Sequence, residues 1–307
     1  MAMSGVSSLV RKPKSSDSVP GDVEKQVYLC LGHVTRDVHA NRSTFGGTAY
    51  YSSLTAAALG YRAVVITRMK DSDIWCLRRE CPAVDWFSES ARTTTTFENV
   101  YGSSGRSQFV HGRAPRLHVR QLIGHPISPS IMHLGPILSE IGPQIVAAVA
   151  GRSFVALTGQ GLLRSTECDG RVRRSLPRSA SQAFAIADIS VLSTEDVGGD
   201  RAVACNLLSR SRAGVLTDGD DVIQAHECGR WFKVPVDARP NRNPTGVGDI
   251  FASVLFTRYK SSGDLEAAIA FSSDAAARWV SAPGPGRYPR LEDDLHPPMG
   301  CVSNESI

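Results

Sequence analysis

"NPTGVGDIFASVLF", residues 243–256, sets two glycines around a valine, adds a carboxylate, and then opens a run with helical spacing. The first turn of a helix leaves N–H groups without intrahelical partners and carries partial positive charge. Gly246 and Gly248 remove the side chains that would keep an anion away from those donors. The loop is therefore shaped to hold a phosphate, or the charge developing on one in transit. Asp249 stands beside that anion site. A carboxylate there repels phosphate unless it has a task, and taking a proton from an attacking hydroxyl is such a task. The plainer alternative is a Gly-rich turn with Asp249 in the first helical turn, where the macrodipole favours an acid. This stretch alone leaves both open.

Upstream, short apolar runs rich in β-branched residues recur at 26–34, 63–67, 130–135, 153–157, 189–193 and 213–218. Segments of helical spacing lie between them at 47–60, 143–151 and 201–211. That rhythm predicts βαβ units and a mainly parallel sheet covered on both faces. After Asp249 the chain reads as two helices, the second opening with Asp264 and stopped by "APGPGRYP". One region breaks the rhythm: "TTTTFENVYGSSGRSQFV" (93–110) is two β-prone runs joined by a Ser/Gly turn, a hairpin signal. A hairpin inserted in a parallel α/β domain is expected to stand out as a flap or lid. The organisation expected is a flexible tail at 1–25, one domain over 26–292 and a tail at 293–307.

The chain has 307 residues, 42% of them hydrophobic and 21% charged, ample for a sizeable core. A net charge of +4 is mild and does not argue for nucleic acid, and "RVRRSLPRS" (171–179) reads as a solvated loop. Seven cysteines show neither a CxxC pair nor zinc-ligand spacing, which suits a reducing compartment, the cytoplasm. No apolar run approaches the roughly 18 residues that cross a bilayer. The first residues, Ser-rich and basic without an apolar core, read as a flexible tail, with an organelle transit peptide as the alternative. The sequons at Asn41 and Asn304 are read as chance.

Familiar nucleotide loops are missing. No Gly-Lys pair occurs, so a P-loop is excluded, and "GHVTRD" (32–37) stands where a G-x-G-x-x-G fingerprint would follow the first strand. "TGQGLLR" (158–164) contains a G-x-G without the rest. Asp37 falls just past the first expected strand, where open α/β sheets bind ligands. Gly46 and Gly47 open a small-residue helix and would let a polar ligand approach the backbone, while Asp37 accepts hydrogen bonds from its hydroxyls. A loop acid and a tight turn is the alternative.

Taken together, these residues resemble the ribokinase-like, or PfkB, carbohydrate kinase family, over about Val27 to Pro289. "GGTAYYSSLTAAALGYRAVVITRM" is similar to its N-terminal signature region and "NPTGVGDIFASVLF" to its C-terminal one, D-T-x-G-A-G-D. The resemblance implies a three-layer α/β/α domain with a small β lid at about 93–110. It implies transfer of the γ-phosphoryl of ATP, with Mg²⁺, to a hydroxyl of a sugar, nucleoside or cyclitol. By match to the motif Asp249 is the base, the amides of Gly246, Val247 and Gly248 form the anion hole, and Asp37, Gly46 and Gly47 bind the acceptor. "VLTDGDDV" (215–222) nominates Thr217 and Gly219 for the nucleotide, and Thr95, Glu98 and Arg106 are lid candidates whose alternative is a solvated hairpin face.

Two departures stand out. The family's Asp-Thr is Asn243-Pro244 here, and its Ala is Val247. Its N-x-x-E, which organises Mg²⁺ through water, corresponds to "STED": Ser193 and Asp196, with Glu195 as the other counterpart. Within the family the chain looks most like the branch that includes myo-inositol kinases. This makes a polyol the expected acceptor, with a sugar or nucleoside kinase as runner-up and a catalytically idle ligand-binding regulator as the reading from another class. Lids in this family pair into dimers in some members, so a homodimer is one expected arrangement, with neither nucleic acid nor membrane as partner.

Overall fold

In the computed structural model, residues 25–39, 42–102, 105–125, 127–218, 222–236 and 245–281 are described. Strand β1 (Val27–Leu31) explains why so much of this chain reads as unbroken apolar runs. Tyr28 and Cys30 pack into one core and Leu29 and Leu31 into another. A strand covered on both faces has no wet side to supply alternation.

Two short strands follow, β2 (Thr35–His39) and β3 (Arg42–Gly46), then helix α1 (Thr48–Ala58) and β4 (Arg62–Met69). Helix α2 (Asp71–Glu80) leads to β5 (Val84–Ser90), and β6 (Thr96–Gly102) and β7 (Gly105–Gly112) form a hairpin. The alternation resumes with α3 (Val119–Ile123), β8 (Ile131–Leu134), α4 (Pro143–Val149) and β9 (Phe154–Thr158). A 3-10 turn over Gly159–Leu163 passes into the small hairpin β10 (Arg164–Thr166) and β11 (Val172–Arg174). So part of the basic run expected as a loop is strand, although its arginines are solvated. Then come α5 (Arg178–Ala185), β12 (Ile189–Ser193), α6 (Arg201–Leu208) and β13 (Ala213–Thr217). The chain closes with the hairpin β14 (Val222–Glu227) and β15 (Arg230–Pro235), then α7 (Val247–Ser262) and α8 (Leu265–Ser281).

The central sheet has nine strands in the order β15-β14-β13-β12-β9-β8-β1-β4-β5. From β13 to β5 the neighbours are parallel, and β14 and β15 are antiparallel. Helices α1, α2, α7 and α8 cover one face and α3 to α6 the other, giving the expected three-layer α/β/α arrangement with a mainly parallel sheet. The strand order reverses at β1, with β4 on one side and β8 on the other. The crevice at the carboxyl ends beside such a switch point is where open sheets bind ligands.

The hairpin expected at 93–110 is present as β6 and β7, but β2 and β3 join it in a second sheet of order β3-β2-β6-β7. Asp37 therefore lies on a lid strand, not in a loop past β1. The lid is rooted in a buried polar cluster. His33 Nε2 donates to the carbonyl of Pro115 at 3.0 Å, which leaves Nδ1 to accept from the Thr95 hydroxyl at 2.9 Å. Burial holds the pKa of that imidazole down and the ring neutral. Thr95 Oγ1 also accepts from the Ala114 amide at 3.1 Å. The buried Glu140 carboxylate takes the amides of His33, Ile137 and Leu138 at 2.8, 2.9 and 2.8 Å. Thr95 is thus a buried anchor at the root of the lid, neither on a solvated face nor among the residues lining the cleft.

Candidate active site

Helix α7 is buried along most of its length, with Phe251, Leu255 and Phe256 in the core beneath the sheet. Small residues on α1, including Ala49, Ser52 and Ser53, are buried and let the two helices approach. That contact fixes the mouth of α7. Ser52 and Ser253 hydroxyls both donate to the Asp249 carbonyl, at 3.4 and 2.7 Å. The first amide of α7 to find a helical carbonyl is Ile250, bonded to Gly246 at 3.0 Å. Among the described residues no carbonyl accepts from the amides of Gly246, Val247 or Gly248. They line a cleft of about 480 Å³, together with Asp249.

Asp249 is crowded. Desolvation pushes its carboxyl up to about 6, with Asp196 and Asp37 pushing the same way and Thr48 and Arg164 pulling down. Thr48 Oγ1 is buried and reaches no partner in good hydrogen-bond geometry, yet is near enough to favour the charged carboxylate. Tyr51 on α1 and, deeper, Tyr28 and Cys30 on β1 also feel its charge, and their own ionisation is raised chiefly by burial. A group so placed is a candidate base.

One end of the cleft is framed by the lid. Thr35, Asp37, Phe97, Asn99 and Gln108 line it, with Gly47 at the foot of α1. The Thr35 hydroxyl donates to Asp37 at 3.0 Å. Gly46 matters through the atom it lacks, because a Cβ there would sit 2.2 Å from Asp37 Oδ2. The carboxylate therefore lies close against the Gly46 backbone, at the end of β3. Gln108 Nε2 donates to Asn99 Oδ1 across the lid at 3.1 Å. Glu98 pairs with His111 at 2.6 Å in an exposed contact and does not line the cleft, and the Arg106 side chain lies outside the described residues.

The other end is formed by Ser193, Glu195, Asp196, Thr217 and Asp218 at the ends of β12 and β13. Asp196 accepts from the Ser193 amide and from Gln160 Nε2, both at 2.8 Å. Asp218 accepts from the Thr194 hydroxyl and from Arg201. Thr217 Oγ1 reaches the Leu192 carbonyl at 3.4 Å. Gly219 and the Asn243-Pro244 pair lie outside the described residues. The structure thus brings Asp37, Gly47, Ser193, Glu195, Asp196, Thr217 and the residues from Gly246 to Asp249 to one cleft, with Gly46 just behind Asp37. Sequence reasoning missed Arg164, Asn99 and Gln108 there. Arg164 ends the "TGQGLLR" stretch whose partial G-x-G was the available signal.

Neither a family model nor a curated protein matches this chain in sequence. Solved structures match its fold. A pyrophosphate-dependent kinase of the ribokinase family, complexed with a pyrophosphate analogue and myo-inositol, aligns with TM-score 0.73 and 19% identity over 87% of this chain and 99% of its own. Ribokinase from Thermotoga maritima aligns with TM-score 0.64 and 14% identity over 85% of this chain and 94% of its own. A fructokinase with bound ATP from Xylella fastidiosa gives TM-score 0.64 and 14% identity over the same shares, 85% and 94%. The structural neighbours are ribokinase-family kinases, and the chain has the ribokinase-like fold.

Proposed function

We propose that this chain transfers the γ-phosphoryl group of ATP to a hydroxyl of a small neutral polyol or sugar, with myo-inositol the first acceptor to try. The observation that carries the reading is the place of Asp249. It stands at the open amide mouth of α7, in one cleft with Asp37 on the lid and Thr217 across the sheet ends. In this mechanism Asp37 and the Gly46-Gly47 backbone hold the acceptor. Asp249 takes the hydroxyl proton as the oxygen bonds to the γ-phosphorus. The bond to the bridging oxygen breaks and ADP leaves with the electron pair, while the amides of Gly246, Val247 and Gly248 face the transferred charge. A pKa of about 6 leaves the acid ionised at neutral pH and still able to accept a proton.

The donor end fits Mg²⁺, which takes one or two carboxylates plus substrate phosphates and keeps several waters. Among the described residues no cluster of three His, Cys, Asp or Glu could cage a metal unaided. Asp196, with both oxygens already accepting, would hold the ion through water, and the exposed Glu195 is the second candidate. Bound there, Mg²⁺ would neutralise charge on the donor phosphates.

Two features support the choice of acceptor and donor. The lid offers the amides Asn99 and Gln108 beside two acids, a set suited to hydroxyls and hostile to an anionic acceptor. Ile223, Phe251 and Ala276 line the cleft and share one apolar cluster, a surface that a purine ring uses and pyrophosphate does not. The second reading keeps the acceptor and makes pyrophosphate the donor, as in the pyrophosphate-dependent kinase of like fold. The six unpaired cysteines among the described residues suit the cytoplasm.

The test is a screen of the purified protein with Mg²⁺ against polyols, sugars and nucleosides, each with ATP or pyrophosphate. ADP release with a polyol is expected, and turnover with pyrophosphate alone would replace the donor. Silence on every acceptor with both donors would favour a ligand-binding regulator. Gly46→Ala follows as a sharper check. By displacing the Asp37 carboxylate it should raise the acceptor KM about tenfold or more while changing kcat less, which steady-state kinetics would read.

A further inference from the structure

Nothing in the motifs explains Arg164. It is the single arginine or lysine among the described residues lining the cleft, which it shares with the carboxylate residues Asp37, Glu195, Asp196, Asp218 and Asp249. So acidic a cleft repels a polyphosphate and the group in transfer unless fixed cations oppose it. Arg164 also acts directly on the centre, since its charge pulls against the burial that raises the Asp249 pKa.

The backbone that carries it is strapped in place. Ser139 adopts φ 56, a left-handed conformation that a non-glycine residue rarely takes. In that pose the Ser139 amide donates to the Gly161 carbonyl at 2.8 Å, and its hydroxyl is shared between the carbonyls of Arg164 at 3.0 Å and Gly161 at 3.3 Å. Gly161 is pressed so close to Pro136 that a Cβ would lie 2.0 Å from that carbonyl oxygen. Leu162 and Leu163 anchor the same turn in the core. Strain of this kind, of the order of 1–3 kcal/mol, persists where the surroundings force it and clusters at functional sites. Here it fixes the point from which the Arg164 side chain enters the cleft.

We propose that Arg164 is a catalytic residue whose guanidinium contacts the phosphoryl group as it passes from donor to acceptor, with Ser139 as its positioning residue. The inference rests on the kinase reading above. An arginine whose contact with the phosphoryl group strengthens as that group is transferred should affect kcat far more than KM.

The experiment compares wild type with Arg164→Met and Arg164→Lys, after matching thermal midpoints confirm that each is folded. Arg164→Met should lower kcat about 10²- to 10³-fold with the acceptor KM within about threefold. Added guanidinium ion should restore part of the loss in Arg164→Ala, and Arg164→Lys should fall between. The acid limb of the pH profile should also move to higher pH in Arg164→Met, because the pull of the guanidinium is lost and only Thr48 then opposes burial, Asp196 and Asp37. A kcat within threefold of wild type overturns the proposal. So does a raised acceptor KM with kcat intact, which would make Arg164 a ligand for an anionic acceptor. If wild type turns over nothing, the kinase reading fails by itself, and binding of orthovanadate with ADP then decides for Arg164. At least tenfold weaker binding in Arg164→Met supports it, and equal binding rejects it.

Discussion

Replacing Asp249 with Asn should abolish most turnover and stabilise the protein at the same time. A positioned base contributes about 10²- to 10⁴-fold, so kcat should drop about 10³-fold while ATP still binds, as calorimetry would record. In wild type the same group sets the acid limb. Its pKa is raised to about 6, so activity should fall about tenfold per pH unit below that value. The stability effect follows from the same shift. The folded state holds the Asp249 proton up to about 6, whereas the unfolded chain releases it near 3.8. Between those values folding takes up a proton, so stability declines as pH rises and stays lower above them. The asparagine carries no such penalty, so at pH 7 it should gain about 2–3 kcal/mol, an upper figure, since the cleft is open to water. In urea denaturation the advantage should shrink as pH falls through 6 and vanish below the unfolded value. A variant equally inactive but no more stable would mean that desolvation of this half-buried acid is weaker than its raised pKa implies.

The parts of this protein that the sequence made legible are those whose physics is local. Runs such as "AVVIT" and "ISVLS" declare themselves because both faces of those strands are covered, which leaves no polar alternation to confuse them. The mouth of α7 is equally plain, since bare backbone before an apolar helical run has few other uses. The lid strands β2 and β3 are different. "TRDVH" and "RSTFG" carry one large apolar residue each, and a small sheet wet on one side writes little into its sequence. Asp37 accordingly looked like a loop residue. The β14–β15 hairpin did leave a signal that went unread: Cys228 and Gly229, both at positive φ, make the two-residue turn that such hairpins favour. Trp231 follows that turn and is 39% exposed, its ring tilted at 44° against His226 with centroids 5.3 Å apart. Arg164 was illegible for another reason. Its role depends on where a strained turn points a side chain, and Ser139, 25 residues away, decides that.

Gly246→Ala and Gly248→Ala should move stability in opposite directions and activity in the same one. Gly246 caps α7 at φ 83, and a Cβ there would lie 2.7 Å from ring atoms of Tyr51. Alanine must bear a left-handed backbone, at about 1–2 kcal/mol, and also displace the ring. A loss of about 2–3 kcal/mol in chemical denaturation is expected, with Tyr51→Ala in the same chain recovering the steric part alone. Gly248 is the informative partner. It lies inside the helix, where glycine costs about 0.5–1 kcal/mol relative to alanine, and among the described residues no atom beyond its own helical backbone comes within 4 Å of where its Cβ would be. Nothing among the described residues therefore requires this glycine, and alanine should stabilise the unliganded protein by about that amount. What the missing side chain leaves open is the approach to the amides at the mouth of α7. Both variants should then lose about 10²-fold or more in kcat, since misplacing the reacting group by about 1 Å is enough for that. A stabilised and fully active Gly248→Ala enzyme would place the phosphoryl group elsewhere in the cleft and take the anion site away from α7.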